Sequence, residues 1–467
     1  PSNQSSRSKI LPLDIFTMRY TTLISLFCLT VLSAIPTLAA DTSSSPDLDA
    51  LLPEALYPEL QAIIASAEIN APVLQAHAFY AAEADARYAQ AKARRYLNAT
   101  LFSQIGPRQE YYQSDDVEDT SSFRVSAGIK LYRPIYHWGA IEAGIKQAQL
   151  GDQAAEIKFE RKRSDLTRNL RADFLNLYLT EQSHRNEVQK QSITDEKIKR
   201  TELQYQSGKV SEVALRSIRL EKERSLLSLE RISTQREQIK KRFKVNYGWD
   251  KPLKTTASIP EIEVEQAMRW LNMEKKSLSR SAIYQLSPIQ QQLNALDHHK
   301  EQQTIIASND RPLVNLFLSG THGQRNTSTS NDVDLFTVMG GINISWNIFD
   351  GFRTKHLKME AKIKQRRLKA QLENSVDDLL LEQQRILNAL SLRFRELNIL
   401  EQQFSIQTDQ HLKVEQDLQA GRSTAPQLQA SALALESMRF KLYEARANTL
   451  MGISDYKEFT RLTQSDD

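Results

Sequence analysis

The sequence predicts a mainly α chain with some β, built as two structural repeats of long helices and a β-hairpin. Three observations predict it. First, landmarks recur at a fixed distance. Gly128-Ile129-Lys130-Leu131 and Ile135-Tyr136 align with Gly341-Ile342-Asn343-Ile344 and Ile348-Phe349. Tyr205-Gln206-Ser207-Gly208-Lys209 aligns with Leu418-Gln419-Ala420-Gly421-Arg422, and both sets stand 213 residues apart. Such self-similarity marks an internal repeat. Second, two stretches, 140–206 and 353–420, carry helical spacing without one proline. Third, short segments ahead of them alternate apolar and polar residues at period two, the pattern of a half-buried strand.

In chain order, residues 1–17 show no apolar pattern and are read as a possible upstream, non-native extension. From Met18 the chain reads as a signal peptide, 18–40. Arg19 supplies the positive start, 23–35 is a short apolar core, and Ala39 and Ala40 are small residues suited to cleavage. That core falls short of the ~20 residues a spanning helix needs. Cys28, the only cysteine, lies inside this segment, after a phenylalanine that argues against lipidation. The processed chain then has no thiol for disulfides, catalysis or zinc. Residues 41–70 are an N-terminal segment, and 71–250 form repeat one.

Repeat one opens with a helix from Pro72. Leu97, Ala99 and Leu101, then Phe123, Val125, Ala127, Ile129 and Leu131, mark two strands. The polar stretch 114–122 between them, with four acids, reads as the hairpin tip. A helix over 140–206 follows; about 67 residues at ~1.5 Å each span ~100 Å. Gly208 ends it, Ser211 caps a return helix, and 251–285 is a linker. Repeat two, 286–461, repeats the order. A helix from Pro288 leads to strands marked by Val314, Leu316 and Leu318, then Ile342, Ile344, Trp346 and Ile348. The stretch 320–332 reads as their loop. A second long helix over 353–420 precedes Gly421, and in its return helix Leu428, Ala432, Leu435, Met438, Leu442 and Ala445 form a coiled-coil-like seam. Residues 462–467 are a tail.

Composition narrows the function. Lys and Arg total 61 against 57 Asp and Glu, interspersed on helix faces, so a nucleic-acid surface is not expected. The mean hydropathy of −0.49 suits helices with one apolar stripe and one wet face. The adjacent His298 and His299 cannot share a metal from one helix and are expected on a solvated face. Lys209 lacks the upstream glycine of a phosphate loop, Leu203 standing there, and no serine elbow occurs. No catalytic residue, cofactor or metal is expected.

In an exported chain, four amphipathic strands of bilayer length point to an outer membrane. Aromatic residues mark the junctions with the long helices: Tyr136 and Trp138 in one half, Trp346, Phe349 and Phe352 in the other. Such rings favour the lipid–water interface. Four strands cannot close a barrel, and open edges in lipid are costly, so closure across a trimer is expected, giving twelve strands.

The strand-to-helix joints (128–139 and 341–352), the turn motifs at Gly208 and Gly421 and the proline-initiated helices resemble the TolC-like outer-membrane efflux and secretion channels over nearly the whole processed chain. The resemblance implies a homotrimer: a 12-stranded outer-membrane β-barrel continuous with a periplasmic α-helical barrel, with an equatorial region formed by the linker around 249–287 and by the C-terminal segment. It implies a passive exit duct, outer-membrane lipid around it, and as partners a periplasmic adaptor (membrane fusion protein) and an inner-membrane transporter of RND or ABC type. Tip residues expected at the adaptor are Gly208, Lys209, Val210, Ser211, Gly421, Arg422, Ser423 and Thr424, which are equally suited to being helix caps. Members of the family often carry an acid six residues after each tip glycine. Here Ala214 and Gln427 stand there, with Glu212 the nearest acid in the first half, so these three are the constriction candidates and the acidic ring is missing. The rival reading is a periplasmic coiled-coil adaptor bridging the two membranes, which would leave the four strands unexplained.

Overall fold

The computed structural model describes residues 51–111, 120–253, 259–277, 279–327 and 330–460. The extension 1–17, the signal peptide 18–40, most of the acidic stretch 114–122 and the tail 462–467 lie outside them.

Short helices come first: α1 (Pro53–Leu56), α2 (Pro58–Asn70) and α3 (Pro72–Ala93). Each begins on a proline, whose fixed φ and missing N–H suit the first helical turn. Strands β1 (Asn98–Glu110) and β2 (Thr120–Tyr136) lead to α4 (Ala140–Gln206) and α5 (Glu212–Tyr247). Then α6 (Val264–Ser277), α7 (Arg280–Ile283) and α8 (Ser287–Ser308) precede β3 (Leu313–Thr327), β4 (Ser330–Ser345), α9 (Arg353–Gln419) and α10 (Ala425–Thr460). Helices α4 and α9 both have 67 residues, and α5 and α10 both have 36. The order helix, hairpin, long helix, return helix thus occurs twice with equal helix lengths.

The strands form one antiparallel sheet in the order β1-β2-β3-β4, so β1 and β4 are free edges. Two sequence expectations are corrected here. The expected loop 320–332 is mostly strand: Thr321 pairs with Thr337 and Gly323 with Leu335. Ladder hydrogen bonds come from the backbone and do not require apolar side chains, so a polar, threonine-rich stretch continues the hairpin. At the other end, β4 stops at Ser345, and Trp346 and Ile348 lie beyond it. Their alternation extends the pattern past the point where the backbone leaves the ladder. In β2 the register slips between Pro134 and Tyr136, where proline cannot donate to the ladder.

The hydrophobic core sits at the middle of the long helices. On α4, Leu170, Phe174, Leu175 and Leu177 are buried; on α9, Leu387, Leu390, Phe394 and Leu397. The short helices of the N-terminal segment and of the 251–285 linker wrap this waist, the latter in the equatorial region that the resemblance implies. Leu60 and Ile63 of α2 join Ile239 and Phe243 of α5 in one cluster. Trp270 and Leu271 of α6 join Phe394, Ile453 and Tyr456 in another. Helices this long carry a continuous surface, so only the belt covered by extra elements becomes a dry core.

Several polar groups in the waist are paired. Tyr247 Oη donates to Asp173 Oδ2 at 2.8 Å, and Arg242 reaches the same carboxylate at 3.1 Å. Burial first, then the hydrogen bond to Asp173 and its charge, push the Tyr247 phenol well above its ordinary range, so it stays a donor. Arg171, on α4, is held by Glu54 of α1 and by Ser454 and Glu458 of α10. His299 also departs from expectation. It is 4% exposed, and its Nε2 lies 2.8 Å from the Ala361 carbonyl, because α8 is packed between α4 and α9 rather than solvated.

Candidate functional site

The turn from α4 to α5 is built by its backbone. Gly208 takes a φ of 71°, Lys209 N donates to Gln204 O at 2.8 Å and Gly208 N to Tyr205 O at 2.9 Å. The turn from α9 to α10 repeats this. Gly421 has a φ of 70°, Arg422 N donates to Asp417 O at 2.7 Å and Gly421 N to Leu418 O at 3.0 Å. Both are Schellman ends, in which a left-handed glycine lets two amides satisfy orphan carbonyls. In the second, Arg422 also pairs with the Asp417 carboxylate at 3.2 Å.

The return helices are capped differently. Ser211 Oγ accepts from Ala214 N at 3.3 Å. At α10, the Gln427 Oε1 takes the Thr424 amide at 2.8 Å and the hydroxyls of Ser423 and Thr424 at 3.0 Å each. That is the glutamine half of a capping box, three residues into the helix. Its signal, Thr424-x-x-Gln427, stands in the sequence. Gln427 therefore spends its acceptor within its own turn. Glu212 faces Arg216 at 3.5 Å, both side chains largely exposed. Val210 is half-buried. Leu203, Tyr205 and Val213 are exposed beside the turn and were not among the expected tip residues.

The two turns stand at one end of the bundle. Gln429, in the first turns of α10, bonds Arg200 at 3.2 Å and Glu196 at 2.9 Å on the last turns of α4. Along this half α4 lies between α5 and α10. Lys222–Asp195 at 2.8 Å and Arg219–Glu202 at 2.9 Å join α5 to it. The sheet is at the far end of α4, ~100 Å away at ~1.5 Å per residue. Replacing Gln427 by alanine is expected to cost about 1 kcal/mol of cap stability, as loss of a capping side chain does. Gly421→Ala is expected to cost about 1–2 kcal/mol through the left-handed conformation alone, since a Cβ there meets nothing within 4 Å. Faster hydrogen exchange confined to the 417–428 amides checks both.

Two consecutive left-handed residues lead into each long helix: Trp138 (φ 55°) with Gly139 (80°), and Gly351 (66°) with Phe352 (66°). An aromatic residue there is strained by about 1–2 kcal/mol, and the surroundings hold it. Trp138 Nε1 donates to Pro312 O at 2.8 Å, with the Arg311 guanidinium 4.9 Å from its ring. In the second joint Asp350 Oδ2 accepts from the Thr354 amide at 2.8 Å and from its hydroxyl. These bonds hold the Asp350 carboxyl below its usual range. The folded value lies below the unfolded one, so this contribution is full above the ordinary carboxylate range and fades as the pH falls through the depressed value.

The five aromatic residues gather at these joints. Tyr136 and Trp138 meet edge-on at 4.9 Å, Phe349 and Phe352 at 5.6 Å. Trp346 donates to Asp310 O at 3.0 Å. Tyr136, Trp346, Phe349 and Phe352 are more than half exposed. Trp138 is half-buried, which makes it more a strut of the joint than a free ring.

The sheet has two unlike faces. One carries Leu101, Ile129, Leu318, Val338, Ile342 and Ile344, all exposed. The register sets Leu101 against Ile129 and Leu131 against Leu318, so the apolar side chains form one continuous band. The opposite face is mixed: it carries Thr100, Ser126, Lys130, Ser319, Thr337 and Asn343 beside Phe102, Leu335 and Met339. From Phe336 to Trp346, ten residues at ~3.3 Å and a tilt of ~45° cover ~25 Å, the height of an outer-membrane apolar band.

A four-stranded sheet with an apolar outer band, two open edges and an aromatic girdle, set on a long helical bundle, is the design of an outer-membrane channel subunit. Residues 63–242 match the family model described as outer membrane efflux protein. No curated protein matches the chain. Among solved structures, the CmeC outer membrane channel of Campylobacter jejuni superposes with a TM-score of 0.71 at 14% identity, covering 94% of this chain and 95% of that one. The outer-membrane channel OprN gives 0.70 at 16%, covering 94% and 98%. The open state of the Neisseria gonorrhoeae MtrE outer membrane channel gives 0.64 at 15%, covering 95% and 100%. The resemblance read from the sequence stands. Residues 63–242 match the outer membrane efflux protein family by sequence, and nearly the whole chain shares the fold of these TolC-like channels.

Proposed function

We propose that three copies of this chain close a 12-stranded barrel in the outer membrane, continuous with a periplasmic helical barrel. The assembly is the passive exit duct of a tripartite efflux pump or a type I secretion system. One observation carries the reading: a sheet of four strands whose outer face is apolar and whose two edges, β1 and β4, have no partner. Backbone groups left open in hydrocarbon cost several kcal/mol each, and β1 of one copy pairing with β4 of the next removes them. Exposed apolar residues on α5 and α9, such as Leu220, Leu227, Leu392 and Ile399, supply the matching helix contacts between copies. The rival adaptor reading gives the strands no task.

In this reading the domain boundaries are 71–250 and 286–461 for the two repeats, with 251–285 as a linker at the waist. Gly208, Lys209, Val210, Ser211, Gly421, Arg422, Ser423 and Thr424 meet a periplasmic adaptor, coupled to an inner-membrane transporter of RND or ABC type. Glu212, Ala214 and Gln427 flank the narrowest part of the entrance. Tyr136, Trp138, Trp346, Phe349 and Phe352 lie at the periplasmic surface of the bilayer. Energy comes from the inner-membrane partner.

The test is the mass of the detergent-extracted protein by light scattering, corrected for bound detergent. A mass of three chains is expected. A stable monomer in plain buffer would refute closure across subunits and put the adaptor reading first.

A further inference from the structure

Between the rows of Arg124 and Asn315, the inward face of the sheet carries charge of one sign. On β2, Arg124 and Lys130 are exposed on the face opposite Ile129 and Val125. Six residues separate them, ~20 Å along a strand at ~3.3 Å each. Lys130 stands in register between Thr100 and Ser319, and Arg124 between Gly106 and Arg325. From the row of Arg124 to the row of Asn315, every strand position on this face is polar, apolar or basic. None is Asp or Glu among the described residues. Neither cation has a carboxylate partner among the described residues. The acid nearest this stretch on β4, Asp334, alternates onto the other face, in line with Val338 and Phe336.

A cation without a counter-charge is stable at such a position only where water solvates it. The apolar band on the other face assigns lipid to that side, so the Lys130 side is the wet one. In a narrow water-filled passage with a low-dielectric wall, fixed charges of one sign focus the field and concentrate counter-ions. Resting on the channel reading above, we infer that the membrane segment of the duct favours anions, with Lys130 and Arg124 of each copy as its selectivity residues. Anionic solutes are then the class of cargo it passes most readily.

The experiment uses the full chain reconstituted in planar bilayers under asymmetric potassium chloride, with trimer mass checked for every variant. The parent is expected to show a reversal potential of the sign for chloride, with a several-fold preference. K130Q/R124Q, which keeps length and polarity, is expected to move toward parity, and K130E/R124E to reverse the sign. If the glutamate variant fails to assemble, the glutamine variant decides alone. A trimer that conducts without anion preference, or whose preference survives K130Q/R124Q, overturns this inference and leaves the channel reading intact. A trimer that inserts and passes no current overturns the channel reading and this inference with it.

Discussion

Arg171→Ala is expected to destabilise the waist by about 3–5 kcal/mol, the range for removing one partner of a buried ion pair. The arginine side chain is 6% exposed and its two acids 21% and 9%. Its Nε and Nη2 form a two-point contact with Glu54, the first at 2.8 Å, while Nη1 reaches Glu458 at 2.7 Å and Ser454 at 3.0 Å. These groups come from α1, α4 and α10, so one guanidinium ties together three distant stretches of sequence. Alanine leaves the Glu54 and Glu458 carboxylates of a largely buried site without the guanidinium that donates to both. The urea midpoint of the detergent-extracted protein, with protease sensitivity of residues 51–70, measures the effect. A change below about 1 kcal/mol, the scale of an exposed pair, would mean the site is wet. R171M combined with E54Q and E458Q is expected to recover most of the loss, since replacing a whole buried ionic group is often nearly neutral.

The second large effect is expected from Val338→Arg. Val338 is 62% exposed, in register with Gly320 and in the row of Ile129 and Leu101, within the apolar band. Arginine on the lipid face costs about 2–4 kcal/mol at the bilayer midplane, and a ring of three copies bears it three times. Recovery of assembled protein from the outer membrane should fall sharply. Thr337, one residue away, lies on the other face, and Thr337→Arg is expected to assemble near normally, because a lumen-facing charge stays hydrated. Equal loss from both variants would contradict the assignment of the two faces.

The long elements were legible in the sequence because their signals are local. The proline-free run 140–206 coincides with α4, and the glycines at 208 and 421 mark its end and that of α9, since only a residue at ease with positive φ closes those turns. The strands were legible only where one face meets an apolar environment. Where β3 continues into polar residues past Gly320, alternation fades although the ladder does not. The same limit applied in reverse at Trp346 and Ile348, which alternate after the strand has ended. The waist was legible only as the equatorial region that the resemblance implies, and not in its packing or its ion pairs. Arg171 reads as one of many arginines on a charged helix, and only the arrival of α1 and α10 buries it. The cap at Gln427 could have been read from Thr424-x-x-Gln427. The inward row of Lys130 and Arg124 needed the register, because alternation gives two faces without saying how neighbouring strands align them.

The two unpaired sheet edges have a genetic consequence. In the three-copy ring proposed above, each chain offers one edge to each neighbour, so a chain with a spoiled β1 still presents a sound β4. It can join a ring and leave a seam that does not seal. A cell expressing both kinds of chain would lose function out of proportion to the mutant share, because the intact fraction falls with the cube of the sound subunits. Alleles that damage one edge are therefore expected to be dominant, while alleles that keep the chain from folding at all are recessive.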